Sequence, residues 1–258
     1  MLVDFHHHLP LDPPCPYTDA YAEAIEEVAE EFGIDYVCIN AGGPQYDNRT
    51  NDECLDLARR CDKVIPFARV YPDQDKPDMI RRYAAEGFRG LKFIAPLRNY
   101  DDEVYMPLYE MADACNLPCL FHTGMVGAFP TDRRCRVSSA RMRPIYLETI
   151  ARRFPSLKIV GAHLGGPWVD EAASTMRFNE NVYFDLSGTP SGKSPDFYRR
   201  GWVHPFLWEK IVFGSDCMIR DFHVPYRRQR QIFTELGVPE EIQQRIFGDT
   251  VAGWLGLL

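Results

Sequence analysis

Short apolar runs alternate with stretches of helical periodicity from one end of this chain to the other. The runs cover residues 2–8, 34–40, 64–71, 88–94, 119–122, 157–163, 182–187 and 211–216. Between them, apolar residues recur three and four positions apart, as in Tyr21, Ile25, Val28, Ala29 and Phe32, or Leu147, Ile150, Ala151 and Phe154. Gly33, Gly87 and Pro155 punctuate the helical stretches, and Pro167 suits the first position of another. Continuous apolar runs of this length fit strands of a parallel sheet covered on both faces. Strict strand–helix alternation leaves two architectures, an open doubly wound sheet and a closed barrel. Eight units in 258 residues, with no glycine-rich dinucleotide loop after the first run, predict a single (β/α)8 TIM barrel. No composition shift or low-complexity stretch divides the chain, so one domain over residues 1–258 is expected.

The totals narrow the function. With 45% hydrophobic residues the chain can bury a large core. A net charge of −8 and a pI near 5.4 argue against nucleic acid or an anionic membrane surface as partner. No apolar run approaches the roughly 18 residues of a membrane span, and the start lacks the basic-then-apolar pattern of a secretory signal. The eight cysteines, Cys15, Cys38, Cys54, Cys61, Cys115, Cys119, Cys135 and Cys217, form no CxxC pair. Several fall on apolar stripes, which predicts small buried hydrophobes in a reducing, cytoplasmic setting.

Chemistry concentrates at the ends of the strands. In Leu2-Val3-Asp4-Phe5-His6-His7-His8, side chains alternate faces, so His6 and His8 point together and His7 points away. Two imidazoles on one face can reach a single divalent cation, at about 2.0–2.1 Å per Zn–N bond. A histidine-rich tag would be longer and would sit outside the first strand. The other strand ends carry Asn40, Arg69 and Tyr71, Lys92, His122, His163, Ser187 and Asp216. A (β/α)8 barrel builds its active site at this rim, and five of the seven histidines lie at or within it. His204 and His223 are read as non-ligands, and His7 as a hydrogen-bonding residue behind the strand.

Five motifs occur in order: Asp4-x-His6-x-His8, Gly90-Leu91-Lys92, Phe121-His122-Thr123-Gly124, Ala162-His163-Leu164-Gly165-Gly166 and Phe213-Gly214-Ser215-Asp216. As a set they resemble the amidohydrolase superfamily, in the amidohydrolase-related branch that includes aminocarboxymuconate-semialdehyde decarboxylase and related aromatic-acid decarboxylases. The resemblance implies His6, His8, His122 and Asp216 as metal ligands, with His163 beside the metal. It also raises Lys92 as a group that some members carboxylate to bridge two metals. Members of this kind often form dimers, so a homodimer is an open expectation. The chain departs from several relatives after Lys92, where Phe93-Ile94-Ala95-Pro96 stands in place of Lys-x-His-Pro.

Three imidazoles and a carboxylate suit one Zn²⁺ ion first, with Mn²⁺ or Fe²⁺ as alternatives. Asp216 is expected to accept and return a proton, His163 to orient water or stabilise charge, and Lys92 to pair with a substrate carboxylate. Arg133, Arg134 and Arg136, in the loop after the fifth strand, are candidates for holding an anionic small-molecule substrate. Arg69, Tyr71 and Trp168 are candidates for the pocket wall. The first functional reading is a metal-dependent hydrolase of an amide, ester or lactone of a small carboxylated molecule. The second is a metal-dependent non-oxidative decarboxylase of an aromatic or enoic acid. The third, a barrel that binds without catalysis, fits poorly with a complete ligand set.

Overall fold

The computed structural model describes residues 1–9, 19–40, 51–126, 136–188 and 205–258. Eight strands follow one another around a parallel sheet: β1 (Val3–His8), β2 (Tyr36–Asn40), β3 (Val64–Val70), β4 (Gly90–Phe93), β5 (Cys119–Phe121), β6 (Ile159–Gly161), β7 (Val182–Asp185) and β8 (Ile211–Val212). Each strand pairs in parallel with the next. The backbone of β1 meets the segment just after β8: Phe5 N–H donates to the Phe213 carbonyl at 3.0 Å and Asp216 N–H to the His6 carbonyl at 2.7 Å. These bonds draw the first and last strands together, and the predicted (β/α)8 barrel is the observed fold.

The helices are those the periodicity requires. They are α1 (Asp19–Phe32), α2 (Asn51–Arg60), α3 (Pro77–Glu86), α4 (Met106–Ala114), α5 (Tyr146–Arg153), α6 (Val169–Phe178), α7 (His223–Glu235), α8 (Glu240–Gln244) and α9 (Thr250–Leu255). In α1 the buried residues include Tyr21, Ile25 and Ala29, the stripe read from the sequence. Gly33 and Gly87 end α1 and α3 with positive φ, at 68° and 106°, a conformation glycine adopts without a Cβ penalty. Thr18, an N-cap residue type at the position before α1, lies outside the described residues.

Two apolar layers result. The outer one lies between strands and helices, with Ile25, Leu57, Tyr109, Leu147 and Phe233 among its members. The inner one fills the floor of the barrel with Val3, Phe5, Cys38, Phe67, Leu120, Val160 and Val212. Residues of α9, Val251, Ala252 and Leu255, join this floor, and Trp254 packs on Phe5 with ring centres 6.0 Å apart. The Phe67 ring lies where a side chain on residue 90 would project, which explains Gly90 in β4. An apolar floor leaves polar side chains only the upper end of the barrel.

The first strand differs from a straight one. Its register against β2 slips between Asp4 and His7, so three steps on β1 face two on β2. This β-bulge puts Phe5 into the floor and still turns His6 and His8 toward the interior. Asp4 and His7 fall behind: His7 Nδ1 lies 3.2 Å from Ser215 Oγ and Nε2 3.3 Å from Tyr21 Oη, as the outward reading of His7 requires. Strands β6 and β8 are shorter than their apolar runs, because the chain turns immediately after them. His163, Leu164 and Asp216 have φ of 63°, 48° and 51°.

Candidate metal centre

His6 occupies the middle of the polar group. Its Nδ1 lies 2.8 Å from Asp185 Oδ2. Asp185 is fully buried, and its other oxygen accepts the backbone N–H groups of His163 and Ser187, both at 2.9 Å, and the Ser187 hydroxyl. Burial alone would raise this carboxyl, but the His6 ring and these donors hold it below its ordinary range. Asp185 is therefore an ionised acceptor, so His6 Nδ1 carries the proton and His6 Nε2 presents its lone pair to the barrel mouth.

Three donor atoms meet at that lone pair. His6 Nε2 is 3.2 Å from His8 Nε2 and 3.2 Å from Asp216 Oδ1, and His8 Nε2 is 2.7 Å from the same oxygen. In a tetrahedral site with bonds of about 2.0–2.1 Å, neighbouring ligand atoms stand about 3.3 Å apart. The triangle therefore fits a divalent ion, and the donor chemistry, two imidazole nitrogens and one carboxylate oxygen, fits as well. Burial tends to raise the Asp216 carboxyl, yet His6, His163 and His8 around it hold it well below the usual range. His6, Asp185 and His163 also stand close together, but Asp185 is saturated by the donors just described. That second group is a hydrogen-bonded support and not an ion site.

The support continues outward. Ser187 Oγ, which donates to Asp185, stands 3.0 Å from His163 Nδ1. His163 Nε2 lies 3.2 Å from His122 Nδ1. At the far end the Met125 carbonyl accepts from His122 Nε2–H at 3.3 Å, so in this arrangement that nitrogen is a donor. Burial lowers the pKa of His6, His8 and His122, and brings that of His163 down to about 4, so the imidazoles are neutral at pH 7.

Other expected residues fall as follows. Lys92 is buried, with Nζ 2.8 Å from His6 Nε2, and burial lowers its pKa to about 8. Arg69 is buried beside it in the paired position on β3, its guanidinium 5.1 Å from the half-buried Tyr71 ring. Asn51 fixes that strand by bonding both backbone groups of Arg69. Trp168 stacks with Arg143, itself paired with Glu171. Arg136 is exposed and lines an outer cavity of about 650 Å³ with Asp73, Lys76 and Arg98, away from the His/Asp group. Arg133, Arg134 and His204 lie outside the described residues.

Sequence reasoning missed Asp185 by taking Ser187 as the end of the seventh strand. Alternation held the signal: Tyr183, Asp185 and Ser187 share a face, and an acid on an inward face requires a partner. Gly188 also belongs here. At φ 70°, any Cβ on it would collide with the His163 ring and crowd Asp216.

Comparisons with known proteins bear on the fold and the family. No curated protein matches the chain. Among solved structures, a probable 2-pyrone-4,6-dicarboxylic acid hydrolase from Acinetobacter baumannii, with citric acid bound, is 14% identical, with TM-score 0.67 over 99% of both chains. The 2,6-dihydroxybenzoate decarboxylase from Rhizobium is 16% identical, with TM-score 0.66 over 99% of this chain and 98% of its own. A dihydroxybenzoic acid decarboxylase from Polaromonas sp. JS666, with manganese and 2-nitroresorcinol bound, is 15% identical, with TM-score 0.66 over 99% and 97%. At these identities the likeness shows the fold. The family model for amidohydrolases spans residues 3–257, from the bulged strand to the end of the closing helix. On that match, over nearly its whole length, the chain belongs to the amidohydrolase family.

Proposed function

We propose that this protein is a metal-dependent decarboxylase of a small aromatic or enoic carboxylic acid. The observation that carries the reading is buried Lys92, set on the His6 nitrogen of the His6–His8–Asp216 triangle, with buried Arg69 paired to it on the neighbouring strand. A substrate carboxylate drawn to those cations reaches the ligand group itself, which suits loss of that carboxylate. The fold shared with two decarboxylases, one of them holding manganese, favours this over hydrolysis.

His6, His8 and Asp216 would hold the ion, and His122, joined to the group through His163, is the fourth candidate ligand from the sequence motifs. The donor set accepts Zn²⁺ or Mn²⁺, and the ion would supply Lewis acidity that anchors an oxyanion of the substrate. Arg69 and Lys92 orient the carboxylate. Asp216 Oδ2, 3.8 Å from His163 Nδ1, is the acceptor placed to receive a proton and pass it to the carbon that loses CO2. Each turnover breaks one carbon–carbon bond, releases one CO2 and consumes one proton from solvent.

Hydrolysis of an ester or lactone is the second reading, favoured by the Acinetobacter neighbour. The test uses chelator-stripped protein reloaded with Mn²⁺ or Zn²⁺ and offered 2,6-dihydroxybenzoate, related phenolic acids and lactone dicarboxylates. Metal-dependent CO2 release from an acid supports the proposal. Hydrolysed lactone or ester with no CO2 from any acid moves the assignment to hydrolysis.

A further inference from the structure

We infer that Lys92 is an internal stand-in for the metal ion, held on the ligating nitrogen of His6 until the ion displaces it. This rests on the reading of His6, His8 and Asp216 as metal ligands.

One lone pair is contested. Asp185 fixes the proton of His6 on Nδ1, so Nε2 can only accept. The group now accepted is the Lys92 ammonium, at 2.8 Å. A divalent ion would need the same lone pair, at about 2.0–2.1 Å. An ammonium and a metal ion cannot both occupy it.

Charge points the same way. Asp185 and Asp216 place two carboxylates around His6, and Lys92 is buried among them. Without an ion, the ammonium offsets that negative charge. With an ion on His6 Nε2, ammonium and ion repel at close range among buried side chains. Displacement leaves the ammonium at the mouth beside Arg69, free to meet a substrate carboxylate.

A lysine that ligates as an amine, or that is carboxylated to bridge ions, would help hold metal. Removing a lysine that stands in for the ion has the opposite sign. Wild-type protein and Lys92→Met, both chelator-stripped and checked for fold by circular dichroism, are titrated with Mn²⁺ at one pH. The free ion is followed by its electron paramagnetic resonance signal. The variant should bind Mn²⁺ at least tenfold more tightly. Equal or weaker binding by the folded variant, with wild-type binding intact, overturns the inference and leaves the metal-site reading standing. Failure of wild-type protein to bind Mn²⁺ overturns that reading and the inference with it.

Removing any nearby positive charge also favours a cation, and a core substitution can block folding, so crystal structures of the unmodified protein supply a second measurement. Between metal-free and Mn²⁺-loaded protein, Lys92 Nζ should leave hydrogen-bonding distance of His6 Nε2. If it stays there with the ion in place, the stand-in role is wrong.

Discussion

At the scale of residues, the candidate site is an ordered assignment of protons. Asp185 accepts four donors and thereby dictates which nitrogen of His6 faces the mouth. Replacing it with Asn keeps the shape but turns an obligate acceptor into a group that also donates. Outer partners of this kind typically cost 10–100-fold in metal affinity when lost. Asp185→Asn should therefore weaken Mn²⁺ binding by at least tenfold in a competition titration, with circular dichroism unchanged; wild-type affinity would remove Asp185 from this role. Gly188→Ala tests the crowding around His163 and Asp216. At φ 70° with no room for a methyl, it should lower turnover at least tenfold with a smaller change in thermal midpoint, and an unaffected rate would contradict the packing described.

Much of this scale was legible in the sequence, because strand-end histidines stand out against an apolar background. Of the four ligands the resemblance implies, His6, His8 and Asp216 are gathered here, whereas His122 stands beside His163 and outside that group. Asp185 was not legible, since an aspartate within an apolar run carries no mark of the imidazole it serves. The left-handed backbone at His163 and Asp216 was equally hidden: nothing in either side chain announces a positive φ, which the surrounding turns impose.

At the scale of elements, the bulge in β1 reconciles two demands. The barrel floor needs Phe5 and the mouth needs His6, yet adjacent residues of a straight strand face opposite ways. Alternation placed His6 with His8 correctly but could not place Phe5 on the same side as both; one slip in register does so. Phe5 touches Phe67 at 5.1 Å between ring centres and Trp254 at 6.0 Å, with no exposed surface. Phe5→Ala should cost about 3–5 kcal/mol, the usual range for a large aromatic removed from a core. Urea unfolding measures this, and a loss under about 1 kcal/mol would mean that the floor is not built as described. Helix positions were read well because their stripes are long; the short ends of β6 and β8 were overextended because apolar residues continue into the turns.

At the scale of the whole molecule, the barrel gathers several buried, neutral imidazoles and two ionised carboxylates at one end. The pKa of His163 falls from the ordinary 6.5 to about 4 on folding, chiefly through burial, and His6, His8 and His122 shift the same way. A group with a depressed folded pKa takes up more protons when unfolded, so its stabilising contribution is full above about pH 6.5 and is lost as pH falls toward 4. The depressed carboxyls of Asp216 and Asp185 add a loss of the same sign at lower pH. Metal-stripped protein should show a thermal midpoint that drops between pH 7 and pH 4.5, and a midpoint that rises over that interval would contradict the buried neutral state. Among the described residues no helix is long and apolar enough to cross a membrane. The barrel itself was legible because its alternation is repeated eight times, and repetition is what a single sequence displays best.

The account depends on one divalent ion bound by residues that β1 and the turn after β8 bring together. Anomalous diffraction from crystals soaked in Mn²⁺ tests it directly. The expected result is a single strong peak within about 2.0–2.3 Å of His6 Nε2, His8 Nε2 and an Asp216 carboxylate oxygen, the range of first-row metal–ligand bonds. No peak at that position, or one coordinated by other side chains, would contradict it.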